Sequence, residues 1–276
     1  MRTISVSELT TNRDCPRQHH FKYRERLRPN ATGSGWQAVS GNAVHYVLEQ
    51  HCRNNMGQPP NKADVEALIF ESLDADFKGD DKRIEKYTPG VRRALTKVPD
   101  WVWVENWYLE YDIEGYFGNP SETPDFPYLE WNVCLRGRPD VFRVSDDFVE
   151  LVDFKTTQTD PLTFMLWTPQ IRFYAAILHQ MYPDKLVKYR YLCFPTQGTG
   201  PAPMSASWPF TLKAYTQAES EILKYASEIT DEGFDNPHYG RICDWCDFKE
   251  LCSAIVTGAD YTGIIEEEYH VREPHK

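Results

Sequence analysis

Hydrophobic and polar positions divide the chain into predictable elements. Val39, Ala43, Val47 and Leu48 recur at helical spacing and predict a helix over 36–55, with Gly57 as its stop. Asn61 caps a second helix over 61–78, and Thr88-Pro89 starts a third that Pro99 interrupts. Nearer the N-terminus, Ser7 is placed to cap a short helix and Pro16 to open another. Alternation from Tyr108 to Phe117 predicts a strand. Three β-rich segments follow at 128–136, 138–144 and 148–155, the last two joined as a hairpin by Ser145-Asp146-Asp147. An amphipathic helix over 162–181, a strand over 186–194, a Gly/Pro/Ser loop over 197–206 and a helix over 211–230 complete the series. Helices, then a β-meander, then helix–strand–helix predicts an α/β fold around a central mixed sheet flanked by helices.

Composition narrows the function classes. With 276 residues the chain has ample length for a core. Its net charge of -11 argues against a protein that merely coats nucleic acid, but leaves room for a local basic groove. Residues 1–28 hold seven Lys/Arg and three acids, whereas 98–135 hold eight acids and no Lys or Arg. No stretch approaches the roughly 18 consecutive apolar residues of a membrane helix. The first twenty residues lack the apolar core of a signal peptide, so the expected location is the cytoplasm, and the host cytoplasm for a phage-encoded chain. Thiols stay reduced there, so the seven cysteines are expected in metal sites or in the core rather than in disulfides.

The densest chemistry lies in 137–157, GRPDVFRVSDDFVELVDFKTT. Asp140 falls on one arm of the predicted hairpin. Asp153 and Lys155 fall on the next, two residues apart and therefore on one face. Carboxylates brought together across strands repel unless a cation lies between them, and hard oxygen ligands suit Mg²⁺ or Mn²⁺. Phe154 points the other way, with its backbone carbonyl free to complete the shell. A lysine beside such a metal orients water or stabilises developing phosphorane charge. A plain hairpin with a salt bridge is the competing reading of these residues.

Further motifs weigh against that plain hairpin. Pro139-Asp140 followed by Asp153-Phe154-Lys155 resembles the core of the PD-(D/E)XK nuclease superfamily. Gly41 to Glu49, with His45 inside it, resembles the G-x-x-x-H-x-x-L-E helix motif of its RecB-like branch. Gln170 and Tyr174 match that branch's Q-x-x-x-Y helix. The resemblance spans roughly 5–255. It implies that His45, Asp140, Asp153 and the Phe154 carbonyl hold metal, and that Lys155 is the catalytic lysine. It also implies that Gln170 and Tyr174 position Lys155 or the phosphate. Glu49, one helical turn beyond His45, is expected to be a solvated helix residue.

Cys243, Cys246 and Cys252 have the spacing C-x₂-C-x₅-C, with Cys15 as a candidate fourth ligand. By ligand chemistry alone this is either zinc or an iron–sulfur cluster. A Cys-Pro near the N-terminus and three cysteines after the nuclease motifs resemble the iron–sulfur RecB-like nucleases, a group that includes the AddB nuclease and related CRISPR-associated and phage exonucleases. That resemblance implies a 4Fe–4S cluster on all four. Cys52, Cys134 and Cys193 are expected to be buried apolar residues.

The combined expectation is a single nuclease domain over 1–276, with its core at 36–230 and a cluster subdomain built from 1–30 and 237–256. The expected activity is metal-dependent DNA exonuclease action on single-stranded ends, in recombination, repair or replication. Alternatives are a nuclease that trims prespacer ends for CRISPR adaptation, and a non-catalytic iron–sulfur or zinc DNA-binding protein. Expected partners are DNA and a recombinase, a helicase or an adaptation integrase, with no membrane. Arg13, Arg17, Lys22, Arg24 and Arg26 are expected to contact phosphates, and Phe21, Tyr23 and Trp36 either to offer rings to bases or to pack as ordinary core residues. No G-x-x-x-x-G-K-[ST] motif is present, so no ATP-driven unwinding is expected of the chain.

Overall fold

The protein is described by a computed structural model over residues 2–30, 36–54, 58, 60–104, 107–118, 133–156, 169–195, 204–230 and 234–272. The chain divides into two units: one of Met1–Gly35, Tyr116–Leu135 and Glu219–Lys276, the other of Trp36–Gly115 and Arg136–Ala218.

The first unit begins with strand β1 (Arg2–Ser5) and helices α1 (Val6–Asp14) and α2 (Pro16–His19). The cap of α1 is Ser5, not Ser7: the Ser5 hydroxyl accepts from the Glu8 N–H at 3.0 Å, because the helix starts as soon as the strand ends. Pro16 does open α2. It also disfavours the helical region for the residue before it, and Cys15 is extended at φ -160°, ψ 111°. Strand β2 (Leu27–Pro29) lies later in this segment.

The second unit opens with four helices, α3 (Trp36–Asn54), α4 (Lys62–Phe77), α5 (Asp81–Leu95) and α6 (Asp100–Val104). Asn61 caps α4 by accepting from the Ala63 N–H at 2.9 Å. Helix α5, capped by Asp80, starts at Asp81, seven residues before the expected Thr88 start, and carries Pro89 in its interior. Proline normally breaks a helix. Here Ile84, Val91, Ala94 and Leu95 bury one face, and that packing outweighs the lost hydrogen bond.

The expected strand from Tyr108 to Phe117 is split into β3 (Tyr108–Leu109) and β4 (Ile113–Phe117), with Glu110 between them at φ +46°. β5 (Val133–Gly137), β6 (Val141–Val144) and β7 (Phe148–Lys155) follow. Residues 119–132 lie outside the described ones, as does the 162–168 part of the helix expected over 162–181. That helix is described as α7 (Gln170–Met181), followed by β8 (Leu186–Cys193), β9 (Trp208–Pro209) and α8 (Leu212–Ser227). The central sheet runs β3-β6-β7-β8-β9; β7 and β8 are parallel and the other pairs antiparallel. It is a mixed sheet flanked by helices. Val39, Val44, Val47, Ile69, Val91, Val102, Val152 and Phe154 share one buried cluster between the sheet and α3–α6. On α7, Ile171 and the run Phe173 to Leu178 are buried.

The first unit resumes with α9 (Lys249–Thr257), α10 (Thr262–Glu268) and β10 (Tyr269–Val271), which pairs antiparallel with β2. Its core joins Phe21 and Leu27 to Phe248, Leu251 and Tyr269. β1, β5 and β4 form a three-stranded sheet. No helix among the described residues is long and apolar enough to cross a membrane.

Candidate active site and cysteine pocket

Strand register assembles the acidic site. β6 and β7 pair Val141 with Val152 and Phe142 with Leu151. Continued by one residue, that ladder sets Asp140 opposite Asp153. β3 and β6 pair Leu109 with Val141, and the same continuation sets Glu110 opposite Asp140. The Glu110 N–H donates to the Asp140 carbonyl at 3.0 Å. Three acids thus meet at one end of three adjacent strands. Asp140 sits in the bend just before β6, and its Oδ2 accepts from the Phe154 N–H at 2.5 Å. The side chain is fixed by backbone as well as by pairing.

Helix α3 brings His45 to these acids. Its Nδ1 lies 3.3 Å from Asp140 Oδ1 and 3.7 Å from Glu110 Oε1. His45, Glu110 and Asp140 offer ligand atoms within 4.8 Å of one another, the arrangement that a metal ion requires. Asp153 lies outside that group and pairs with Lys155 on its own strand. All of them line one cavity of about 590 Å³, with Gly41, Asn42, Tyr46, Glu49, Phe154, Thr156 and Gln170. Glu49 also pairs with Arg53 one turn on.

Gly41 explains how α3 comes so close. A Cβ at this position would stand 2.7 Å from Thr156 Oγ1, just past the end of β7. Glycine lets the helix backbone approach that strand end, one turn before His45.

The charges are mutually dependent. Burial disfavours a protonated His45, yet the Asp140 charge and hydrogen bond outweigh it and raise the ring to about 10. Burial alone would raise Asp140, but the facing His45 charge holds it below the ordinary carboxylate range. Burial pushes Asp153 up to about 6, against the Lys155 charge and helped by Asp140. Lys155 resists burial because Asp153 and Asp140 keep its ammonium protonated. One carboxylate is held charged while its neighbour is driven toward neutrality, as expected of two acids brought close together. The donor set, one imidazole nitrogen and hard oxygens, fits Mg²⁺ or Mn²⁺.

Gln170 opens α7, and its Nε2 donates to the Tyr174 hydroxyl at 3.1 Å. Tyr174 is buried, which raises its phenol above the ordinary value. Glu110 was not singled out from sequence. It was one of eight acids in 98–135, with no local pattern to separate it from the others. Only the β3–β6 register singles it out.

The first unit holds the cysteine pocket. Cys15, Cys243, Cys246 and Cys252 all line one cavity of about 230 Å³, together with Phe21, Ile242, Phe248 and Val256. Cys243 lies in a 3₁₀ turn, Arg241–Trp245, and Cys252 in the first half of α9. Burial pushes the Cys246 thiol up to about 11. Cys52, Cys134 and Cys193 are buried elsewhere.

Arg17, expected as a phosphate contact, is instead buried in this pocket. It donates through Nε to the Phe234 carbonyl at 2.8 Å and through Nη1 to Cys252 Sγ at 3.4 Å. Phe21, expected as a stacking ring, is 1% exposed and packs on Phe248 at 5.4 Å. Tyr23 stacks on His19, and Lys22 lies over Tyr23. Arg13 pairs with Asp14, whereas Arg24 and Arg26 are exposed. The Trp36 side chain lies outside the described residues.

A family model described as PD-(D/E)XK nuclease superfamily matches residues 3–253. No curated protein matches the chain. Among solved structures, SSO0001 is similar at 13% identity and TM-score 0.42, over 91% of this chain and 86% of that one. A protein named "Putative exonuclease" from Eubacterium rectale is similar at 12% identity and TM-score 0.44, over 88% and 86%.

Proposed function

Because the chain belongs to the PD-(D/E)XK nuclease superfamily, we propose that it is a metal-dependent DNA exonuclease acting on single-stranded ends. The observation that carries the reading is the convergence of His45, Glu110 and Asp140 beside the Asp153–Lys155 pair in one cavity.

His45, Glu110 and Asp140 are the proposed ligands, with Asp153 and the Phe154 carbonyl beside them. A bound divalent cation would supply charge neutralisation at the scissile phosphate and acidify water. Lys155, kept protonated by two carboxylates, acts as a cation and not as a base. It orients water and donates hydrogen bonds to phosphate oxygens as negative charge builds. Gln170, held by Tyr174, fixes its amide at the cavity wall. Single-stranded ends suit a chain without a phosphate-loop motif, which must accept strands already open.

We assign Cys15, Cys243, Cys246 and Cys252 to a 4Fe–4S cluster. Four thiols on one apolar cavity support this. The Arg17 guanidinium at Cys252 offsets thiolate charge.

A time course on 5′- and 3′-labelled single- and double-stranded DNA, with Mg²⁺ or Mn²⁺, tests the activity. The single strand is expected to be degraded faster than the blunt duplex. Asp140→Ala and Lys155→Ala are each expected to lower kcat/KM about 10³-fold. Activity surviving both substitutions would overturn the assignment.

A further inference from the structure

Two exposed tyrosines lie on either side of Glu110 along the chain. Tyr108 is 43% exposed and Tyr111 50%, yet both sit on Phe142, which is fully buried. Tyr108 stacks on Phe142 with centroids 4.8 Å apart and planes at 14°. Tyr111 meets Phe142 edge-on at 6.2 Å and Tyr108 at 5.4 Å, with planes 69° apart in the latter pair. The rings form a corner backed by core rather than two loose side chains. Glu110 stands between them in sequence, and its left-handed backbone carries its own carboxylate to His45. Among the described residues, β3 is the edge strand of its sheet.

Exposed aromatic surface is unfavourable unless something covers it. We propose that Tyr108 and Tyr111 form a stacking platform for an unpaired nucleobase of the strand whose phosphate lies in the acidic cavity. This rests on the nuclease reading and names the part of the substrate that reading leaves open. Stacking on an aromatic ring contributes about 1–3 kcal/mol per base and tolerates any base. Rings already held by Phe142 lose little freedom when a base arrives. A base within a duplex has both faces occupied, so the platform selects single strands or frayed ends. Exposed Arg138 pairs across the surface with Asp112, the residue after Tyr111, at 2.9 and 3.1 Å, and is the cation offered to the strand's backbone charge.

The test compares initial rates on an oligothymidine and on the same oligonucleotide carrying abasic sites, using the full chain. Wild type is expected to show a KM about tenfold higher on the abasic strand, equivalent to about 1.4 kcal/mol. The Tyr108→Ala/Tyr111→Ala double variant should match that higher KM on both strands. Tyr108→Phe/Tyr111→Phe should restore the wild-type KM, since stacking needs the ring and not the hydroxyl. Equal wild-type KM on the two strands, which needs no variant to fold, would overturn the platform while leaving the nuclease reading intact. No cleavage of either strand would overturn the nuclease reading itself, and the platform with it.

Discussion

The acidic site and the cysteine pocket are assembled in opposite ways. The first draws Asp140, Asp153 and Lys155 from one hairpin, where strand register alone brings acid to acid. The second draws Cys15 from one end of the chain and Cys243, Cys246 and Cys252 from the other. The chemistry differs as sharply. The hairpin gathers charges whose protonation depends on one another, around hard oxygens. The pocket gathers four thiols, Cys246 among them raised by burial, beside phenylalanines, which suits a soft and bulky group. The acid pair made by local pairing forms with its hairpin, and His45 and Glu110 join it when α3 and β3 pack. A site made from distant ends exists only when the whole unit has closed, so its ligand contributes most to stability.

That contrast predicts the largest effect at the cysteines. Cys15→Ala is expected to remove absorbance near about 400 nm from anaerobically prepared protein. It should also lower unfolding stability by about 5 kcal/mol, the scale of a cross-link closing a loop longer than 100 residues. Asp140→Ala should do neither, although it abolishes most cleavage. A colourless wild type would break the comparison in favour of zinc.

Glu150 tests the scaffold of the acidic site. It is buried on β7 and pairs with Arg190 and with Arg143, the latter at 2.8 Å. Burial would raise its carboxyl, but the two arginines hold it below the ordinary value. Its stabilisation is therefore complete above the unfolded value of about 4.3 and is lost as pH falls through the depressed folded value. Glu150→Gln should cost about 3 kcal/mol at neutral pH, and the difference in denaturant midpoint should shrink below about pH 4.

Gly41→Ala separates packing from chemistry. Its Cβ would meet Thr156 Oγ1 at 2.7 Å, a contact relieved by turning the Thr156 side chain or by moving α3 from β7. About 2 kcal/mol of destabilisation is expected, together with a loss of metal affinity by titration calorimetry as His45 moves from Asp140. The smallest effect belongs to the cap of α1 in the cysteine-bearing unit. Ser5→Ala should lower stability by about 1 kcal/mol in thermal unfolding, while Ser7→Ala should cost less.

Legibility followed the range of the interactions. The hairpin over 138–155 was readable because alternation, a Ser-Asp-Asp turn and three charged residues all lie within one supersecondary unit. α4 was readable because its cap, Asn61, is a local signal. α5 was not: Pro89 looks like a helix start, and only burial of Ile84, Val91 and Leu95 makes it an interior residue. Ser7 is the cap expected from sequence and Ser5 the one the fold uses, because the choice depends on where β1 ends. Arg17 and Phe21 looked like surface residues for DNA, and their burial depends on elements more than two hundred residues away.

By itself, the sequence determined the β6–β7 hairpin, the faces of its side chains, the helices bearing His45 and Gln170, and the cysteine spacing, because each follows from a period or a turn within a few residues. The tertiary structure alone decided that Glu110 joins His45 and Asp140, that Gly41 faces Thr156, and that Tyr108 and Tyr111 stand exposed on buried Phe142. Those facts depend on strand register and helix packing between segments whose local patterns carry no record of one another.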